Sequence, residues 1–504
     1  MKKISLFFAC LFGLLALNAQ NRYLQPVFSN VKVTADVTYG VNATILYLGV
    51  VGQAVPEALK VDIYEPQGDT ETARPLVIMF HTGNFVPPQF NGGCTGTRKD
   101  AEIVEIATRL AKMGYVVASA DYRLGWDPTN TSQQTRIYTL INAAYRGVQD
   151  ANTAVRFFRR NIAEGGNTYG IDPNKVAFWG NGTGGYISYA AATLDNITDT
   201  YIPKFVTPQG PMVLEFLSGN YEGTTVGVNP GVPGLPFPAG DTLNYPNHVG
   251  YSSEVQLSIS VGGALGDTSW IDANDPPLIG MQVKTDPFAP YGVGDVVVPP
   301  PFNLTVVEVM GSGSAIPWAF ATGTQGPINH PFIDPVSVHA NSVNGGVPGL
   351  YPFFSTDPTE GSPWNFSASL EPYGVAGSNC DTNSVAAKVF IDTIIHYFAP
   401  RACLAMNLGC NLSGISAIED KLDAAQVGLA ISPNPASEVV RFKTNTEFPI
   451  EHIYVYDLQG RLVKAHTNVQ SSQFTMQRNS LASGNYFAKV MFKNGFVTQQ
   501  VMFR

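Results

Sequence analysis

The sequence predicts an α/β domain built on a mostly parallel sheet, followed by a small all-β sandwich. Two observations predict this order. Short, continuously apolar segments alternate with helix-period segments in the first half of the chain, and short segments of alternating apolar and polar residues follow one another near its end. Continuous apolar runs are typical of strands buried on both faces, and their alternation with helices indicates a parallel sheet covered by helices.

The strands and helices of the first domain can be placed from these patterns. Buried strands are predicted at residues 75–80, 115–123 and 175–180. Between them, apolar residues recur at helical spacing in residues 103–110 and again in residues 141–162. Strands and helices that alternate in this way form right-handed units with parallel strands.

The domain limits follow from changes in composition. We predict an α/β domain over residues 21–412, a linker at 413–424 and a β-sandwich over 425–504, where turn signals separate short alternating strands. Residues 205–250 are rich in Pro and Gly and hold no period. Loops of this length are uncommon in compact domains unless they are functional, so we predict an insertion, a candidate lid over the carboxyl edge of the sheet.

The net charge and the first 20 residues indicate which partners and which cellular compartment to expect. The 504 residues carry a formal net charge of -9 and no basic stripe, which argues against nucleic acid as a partner. Residues 1–20 join Lys2 and Lys3 to an apolar run of about a dozen residues and a small-residue stretch, the pattern of a secretory signal peptide. No other segment approaches the ~20 apolar residues of a membrane helix, so no membrane span is predicted.

Outside the predicted signal peptide the chain holds four cysteines, which are Cys94, Cys380, Cys403 and Cys410. An even number in an exported chain predicts two disulfides, with three possible pairings. Cys403 and Cys410 are close enough in sequence to close a small loop, which would leave Cys94 to pair with Cys380. The spacings match no metal site, and no cofactor motif was found, so we predict neither a metal nor a cofactor.

Three segments of the tail resemble the C-terminal sorting domain of the type IX secretion system of Bacteroidetes. They are SPNPA at 432–436, VYDLQGRLV at 455–463 and LASGNYFAKV at 481–490. The resemblance implies export through the periplasm and across the outer membrane, so that the protein is secreted or held at the cell surface. It also implies the type IX machinery as a partner.

Four segments between residues 60 and 195 resemble the α/β-hydrolase superfamily, closest to carboxylesterases and lipases. In chain order they are FHTGNF at 80–85, DYRLG at 121–125, the helix and strand at 149–180, and GNGTGGY at 180–186. The resemblance implies the α/β-hydrolase fold. It also implies a site for acyl transfer, which requires a nucleophile, an acid, a histidine and an oxyanion hole.

The nucleophile position of that site is occupied by glycine. The strand-to-helix elbow of the family is written G-x-S-x-G with serine as the nucleophile, and here the five residues run from Gly180 to Gly184 with Gly182 at the centre. Gly182 has no side chain and cannot attack a carbonyl. Thr183 is one residue out of register, and Ser188 lies more than a turn into the following helix. Glycine accepts the strained backbone of the elbow easily, so the turn itself is expected to form.

The oxyanion hole and the acid have candidate residues. The resemblance assigns the backbone N–H groups of Thr183 and Gly83 to the oxyanion hole, although Thr82 and Asn84 replace two glycines of the family loop. Asp286, in the segment 275–291, matches the aspartate that follows a strand in the family. An aspartate before Pro287 is equally well explained as the cap of a turn.

The histidine of the site has two candidates. The chain has seven histidines, and the family places this one in the loop after a helix and one further strand. Residues 315–323 are a candidate for that helix and residues 327–333 for that strand. His339 then lies in the following loop and is favoured over His330, while an ordinary surface histidine explains either residue without chemistry.

The sequence therefore supports three hypotheses. The first is an exported pseudo-hydrolase that binds a small-molecule ester or a protein or glycan ligand without turning it over. The second is an active secreted carboxylic-ester hydrolase with a non-standard site, and the third is a structural or adhesive surface protein. Gly182 favours the first, the retained surroundings favour the second, and the long Pro- and Gly-rich segments are compatible with the third.

Overall fold

A computed structural model describes most of the chain outside its first 21 residues. The predicted signal peptide at 1–20 lies outside the described residues, as do Cys94 and Cys380. The described residues are 22–91, 95–298, 302–355, 357, 359–367, 384–413, 415, 422–458, 461–467, 469–479, 481–492 and 495–504.

An eight-stranded sheet forms the centre of the α/β domain, in the order β1-β2-β4-β3-β5-β6-β7-β8. The pairs β1–β2 and β2–β4 are antiparallel, and every later pair from β4 to β8 is parallel. The strands are β1 Val31–Thr44, β2 Val55–Pro66, β3 Arg74–Phe80, β4 Val116–Ala120, β5 Ile171–Asn181, β6 Leu257–Val261, β7 Leu278–Val283 and β8 Leu350–Phe353.

Helices connect these strands and bury the sheet. The longer ones are α1 Ala101–Lys112, α2 Gln133–Glu164, α3 Thr183–Thr193, α4 Ser312–Thr322, α5 Pro335–Asn344 and α6 Ser384–Ala405. Every residue of β3, β4, β6, β7 and β8 is buried, which is why these strands appear in the sequence as continuous apolar runs. The predicted α/β fold class is confirmed.

The insertion at 205–250 contains short elements that pack on α2. Its strands are Val206–Thr207 paired with Gly210–Pro211, and Gly227–Val228 paired with Thr242–Asn244, with a four-residue helix at Glu215–Ser218. Polar side chains of α2 donate hydrogen bonds to the backbone of the insertion. The Tyr145 hydroxyl donates to Gly219 O at 2.9 Å, and Gln149 Nε2 donates to Ser218 O at 2.8 Å. Its role as a lid stays a prediction.

The tail consists of two antiparallel sheets around one apolar core. The first has the order β9-β10-β13 and the second β12-β11-β14-β15. The strands are β9 Ala430–Ser432, β10 Val439–Lys443, β11 His452–Tyr456, β12 Leu462–His466, β13 Gln473–Gln477, β14 Gly484–Phe492 and β15 Gly495–Phe503. Alternate residues of β10 and β14 are buried, as the sequence pattern predicts for a sandwich.

The chain divides into two compact units. Residues 1–328, 347–387 and 401–410 form the first unit, which holds the whole eight-stranded sheet. The second unit contains the tail together with residues 329–346 and 388–400. No helix among the described residues is both long enough and apolar enough to cross a bilayer.

Candidate active site

The segment that resembles an elbow has the geometry of one. Strand β5 ends at Asn181, helix α3 begins at Thr183, and Gly182 alone joins them with φ 51° and ψ −116°. Only glycine adopts this region of backbone conformation readily. The helix also lies very close to the strands, because a Cβ on Gly184 would stand 2.1 Å from Phe80 O. The pattern of glycines therefore serves a sharp turn with close helix-to-strand contact.

The aliphatic hydroxyl groups nearest to Gly182 in sequence, those of Thr183 and Ser188, have hydrogen-bond partners elsewhere. Thr183 Oγ1 lies 3.1 Å from the Tyr122 hydroxyl, which itself donates to His81 O. Ser188 is fully buried, and its Oγ donates to Ile259 O at 2.7 Å. Neither residue offers a hydroxyl at the centre of the elbow, which agrees with the sequence-based expectation for both.

Thr82 occupies the space in front of Gly182. A Cβ built on Gly182 would lie 2.1 Å from Thr82 Oγ1 and 2.7 Å from Thr82 Cβ. Both distances are far shorter than the 3.5–4.0 Å of ordinary carbon contacts. The threonine side chain thus fills the place from which a serine at position 182 would project, a contact that the sequence analysis missed.

Gly83 and Thr183 are the residues whose backbone N–H groups the sequence assigned to an oxyanion hole. Among the described residues, neither the Gly83 N–H nor the Thr183 N–H donates a hydrogen bond. Asn84, which stands in place of a family glycine, has φ 58°, a left-handed conformation that asparagine tolerates better than most residues. Asn84 thus has a backbone conformation that glycine adopts easily, at one of the two positions where a family glycine is replaced.

Asp286 follows strand β7, at the end of the sheet where the family carries its acid. Its Oδ1 accepts from the backbone N–H groups of Phe288 and Ala289, at 2.8 and 3.1 Å. Burial raises the pKa of Asp286 to about 7, and Glu360 adds to the rise. Burial and the Asp286 carboxylate also raise the pKa of the Tyr186 hydroxyl, one turn after Gly182 in α3.

A carboxyl group with a pKa raised to about 7 does not suit the role of the acid in a triad. In a Ser-His-Asp triad the acid is ionised, holds the imidazole in one tautomer and stabilises the imidazolium that forms. A carboxyl group with a pKa of about 7 is protonated in about half of the molecules at neutral pH. The hydrogen bonds to Oδ1 equally fit the cap of a turn, the other interpretation of Asp286 offered by the sequence.

The predicted strand at residues 327–333, on which the choice of His339 depended, was wrong. Residues 327–333 do not form a strand of the sheet, since a 3₁₀ turn covers Gly326–Ile328 and prolines at 327 and 331 remove backbone donors. The next sheet strand after β7 is β8 at Leu350–Phe353, beyond both candidate histidines.

Both candidate histidines belong to the second compact unit, whereas Gly182 and Asp286 belong to the first. His339 lies within helix α5 rather than in a loop, and burial lowers its pKa. The ring of His330 packs against Phe332, with 4.9 Å between the ring centroids. A catalytic role for either residue stays a prediction.

The loop after β8, where the family histidine is expected, carries no histidine. The sequence has none between residues 340 and 395. This loop does reach the acid, because a Cβ on Gly361 would stand 2.6 Å from Asp286 Oδ1. Its Trp364 is completely buried, and its ring would lie 3.0 Å from a Cβ on Gly262 at the end of β6. The site thus has a glycine and a glutamate near Asp286 where a triad would have an imidazole.

The DYRLG segment has a structural role. Arg123 and Asp150 are both fully buried, and Arg123 Nε lies 2.9 and 3.0 Å from the two carboxylate oxygens. The backbone N–H of Arg123 also donates to Asp150 Oδ2. This pair fixes the segment after β4 to helix α2, and a buried pair of this kind is tolerated only when its hydrogen bonds are complete.

One predicted disulfide is present. Cys403 and Cys410 are bonded and close a short loop at the end of α6. The other pair, Cys94 and Cys380, lies outside the described residues, so that pairing stays a prediction.

Two family models match the chain. BD-FAE matches residues 61–217, which include β3, β4, β5, α3 and the elbow. The secretion system C-terminal sorting domain matches residues 430–504, which include all the tail strands. No curated protein matches.

Solved esterases are among the similar structures. Esterase 2 of Thermogutta terrifontis phosphorylated by paraoxon is 17% identical, with a TM-score of 0.36, over 72% of this chain and 91% of that one. Its propionate-bound form is 16% identical, with a TM-score of 0.35, over 75% and 97%. A truncated carbohydrate esterase from gut microbiota is 16% identical, with a TM-score of 0.29, over 53% and 81%.

The strand order of the eight-stranded sheet and the matched family models indicate the fold. The tail match indicates type IX secretion to the cell surface or exterior. Residues 61–217 are therefore similar to the BD-FAE family, and the tail at 430–504 is similar to the secretion system C-terminal sorting domain.

Proposed function

We propose that this protein is an exported pseudo-hydrolase, which binds a ligand on an esterase-like scaffold without turning it over. The observation that carries the proposal is Gly182, which stands alone at the centre of a well-formed elbow. Without a nucleophile no acyl-enzyme can form, and only binding and oxyanion contributions to rate remain.

The rest of the site supports the same conclusion. Thr82 fills the space of a nucleophile side chain, and the loop after β8 lacks a histidine. The pKa of Asp286 is raised to about 7, which leaves it poorly suited to stabilise an imidazolium. The retained parts are the elbow backbone and two available N–H donors, Gly83 and Thr183. These donors suit recognition of a carbonyl or carboxylate group, such as that of a small-molecule ester or of an acylated glycan or protein.

Steady-state hydrolysis of p-nitrophenyl acetate tests the proposal. We expect the purified protein to release p-nitrophenol no faster than a matched Asp286→Ala variant. Enzyme-like turnover that the Asp286→Ala substitution abolishes would refute the proposal. The comparison with the variant is needed because exposed side chains of any protein hydrolyse activated esters slowly.

One observation favours a second candidate, an active hydrolase of esters with a non-standard site. Thr82 Oγ1 lies where a side chain of residue 182 would begin, so its hydroxyl is the candidate nucleophile. A Thr82→Val variant keeps the shape of the side chain and removes the oxygen. If the second candidate is right, this variant loses the hydrolysis that the unaltered protein shows, whereas equal rates in both proteins argue against it.

A further inference from the structure

We propose that Thr82 and Gly182 form a matched pair, in which the Thr82 side chain seals the nucleophile position so that residue 182 must be glycine. The inference deepens the proposed function and rests on it, since it names the residue that closes the same site. Under this inference two residues, Thr82 and Gly182, together account for the missing nucleophile, and replacing Gly182 alone would not restore it.

Two atoms of Thr82 would clash with a side chain at position 182. A Cβ on residue 182 would meet Thr82 Oγ1 at 2.1 Å and Thr82 Cβ at 2.7 Å. Removal of the hydroxyl alone therefore leaves the second conflict in place. Only glycine at position 82 removes both. Rotation of the side chain leaves Cβ where it is, and a β-branched residue has few rotamers to choose from.

The backbone of the Thr82 loop is held on both sides. The preceding His81 is buried, its ring stacks on Tyr122 with 4.5 Å between centroids, and its Nε2 lies 3.5 Å from Asp121 Oδ1. The following Gly83 approaches the next loop so closely that a Cβ on it would stand 2.8 Å from Gly96 Cα. The loop therefore cannot retreat from residue 182 without the loss of these contacts.

The backbone of the elbow is held as firmly. The Gly182 N–H donates to Val261 O at 2.8 Å, and Gly182 O accepts from Gly185 at 2.9 Å. Gly263 stands behind it, because a Cβ on Gly263 would lie 2.7 Å from Gly182 O. With both backbones fixed, the conflict is relieved only by the side chain of residue 82, so a serine restored at 182 alone is not accommodated.

A cysteine introduced at position 182 tests the pair without need of any hydrolytic chemistry. Four proteins are compared: Gly182→Cys, Gly182→Cys with Thr82→Ala, Gly182→Cys with Thr82→Gly, and Thr82→Gly as the matched control. The melting temperature of each is measured, together with the rate at which iodoacetamide alkylates the introduced thiol, read by peptide mass mapping. Alkylation is carried out near the ordinary thiol pKa of about 8.5, where no neighbouring base is required.

We expect the Gly182→Cys protein to melt lowest, and Thr82→Gly to raise its melting temperature by about 2 °C or more. Thr82→Ala should recover less than Thr82→Gly. Alkylation of the introduced thiol should be faster by about tenfold in the Thr82→Gly background, where the site is open. Equal alkylation rates with additive melting shifts would overturn the proposal, as would a Gly182→Cys, Thr82→Gly protein that folds no better than Gly182→Cys.

These results are separable from those for the proposed function. Enzyme-like turnover of p-nitrophenyl acetate that Asp286→Ala abolishes would refute the pseudo-hydrolase and leave the alkylation result unaffected. If the effects of the Thr82 and Gly182 substitutions are simply additive, the matched pair is refuted. The proposal that the protein does not turn over its ligand is then unaffected.

Discussion

Asp286 is a buried carboxyl group that follows β7. Two backbone N–H groups donate hydrogen bonds to it. Burial is the largest influence on its pKa, the hydrogen bonds from Phe288, Ala289 and Gln282 lower the pKa, and Glu360 raises it. Burial thus dominates and favours the protonated form.

This shift predicts a pH-dependent effect of Asp286→Asn. Because the folded pKa of about 7 exceeds the ordinary value of 3.8, the stabilisation by the protonated carboxyl group is complete below pH 3.8 and is lost as the pH rises to about 7. The amide stays neutral and keeps an oxygen for the same N–H donors. We expect the variant to be more stable than the parent by about 1 kcal/mol or more at alkaline pH, with no gain in acid.

Urea unfolding at several pH values measures this difference, with Asp295→Asn at an exposed position as the control. A stability difference that is independent of pH for Asp286→Asn would contradict the assignment of a raised pKa.

At the scale of elements, the segment after β4 is fixed to helix α2 by Arg123 and Asp150. Both residues are fully buried, so each leaves a charge unpaired when the other is removed. We expect Arg123→Met to lower the free energy of unfolding by about 3–5 kcal/mol. The double variant with Asp150→Leu should lose less, since it also removes the carboxylate that Arg123→Met leaves without its partner. Chemical denaturation measures both, and a double variant less stable than Arg123→Met alone would argue against this account.

The individual strands and helices show how much of the fold could be predicted from the sequence. Strands β3, β4 and β5 and helices α1 and α2 were predicted correctly because buried strands are apolar throughout and the helices keep a 3.6-residue period. Residues 327–333 were misassigned because an apolar run with prolines looks like a strand when pairing partners are unknown. The contact of Thr82 with Gly182 joins residues 100 positions apart, and only the packing of the fold brings them together.

At the scale of the whole molecule, the tail directs the protein to the cell surface or exterior. We expect deletion of residues 430–504 to leave the chain in the periplasm of a bacterium with a type IX system. Immunoblots of periplasm, cell surface and medium measure this, with the full-length chain expressed in parallel. A truncated chain that reaches the surface as efficiently as the full-length one would contradict a sorting role.

The central claim is that an esterase-like scaffold has lost its nucleophile, and covalent labelling tests it most directly. The native protein is incubated with a fluorophosphonate, and its intact mass is measured beside that of a known serine esterase treated in the same way. We predict no adduct on this protein and a complete adduct on the esterase. A stoichiometric adduct that maps to Thr82, or to another residue next to Gly182, would contradict the account.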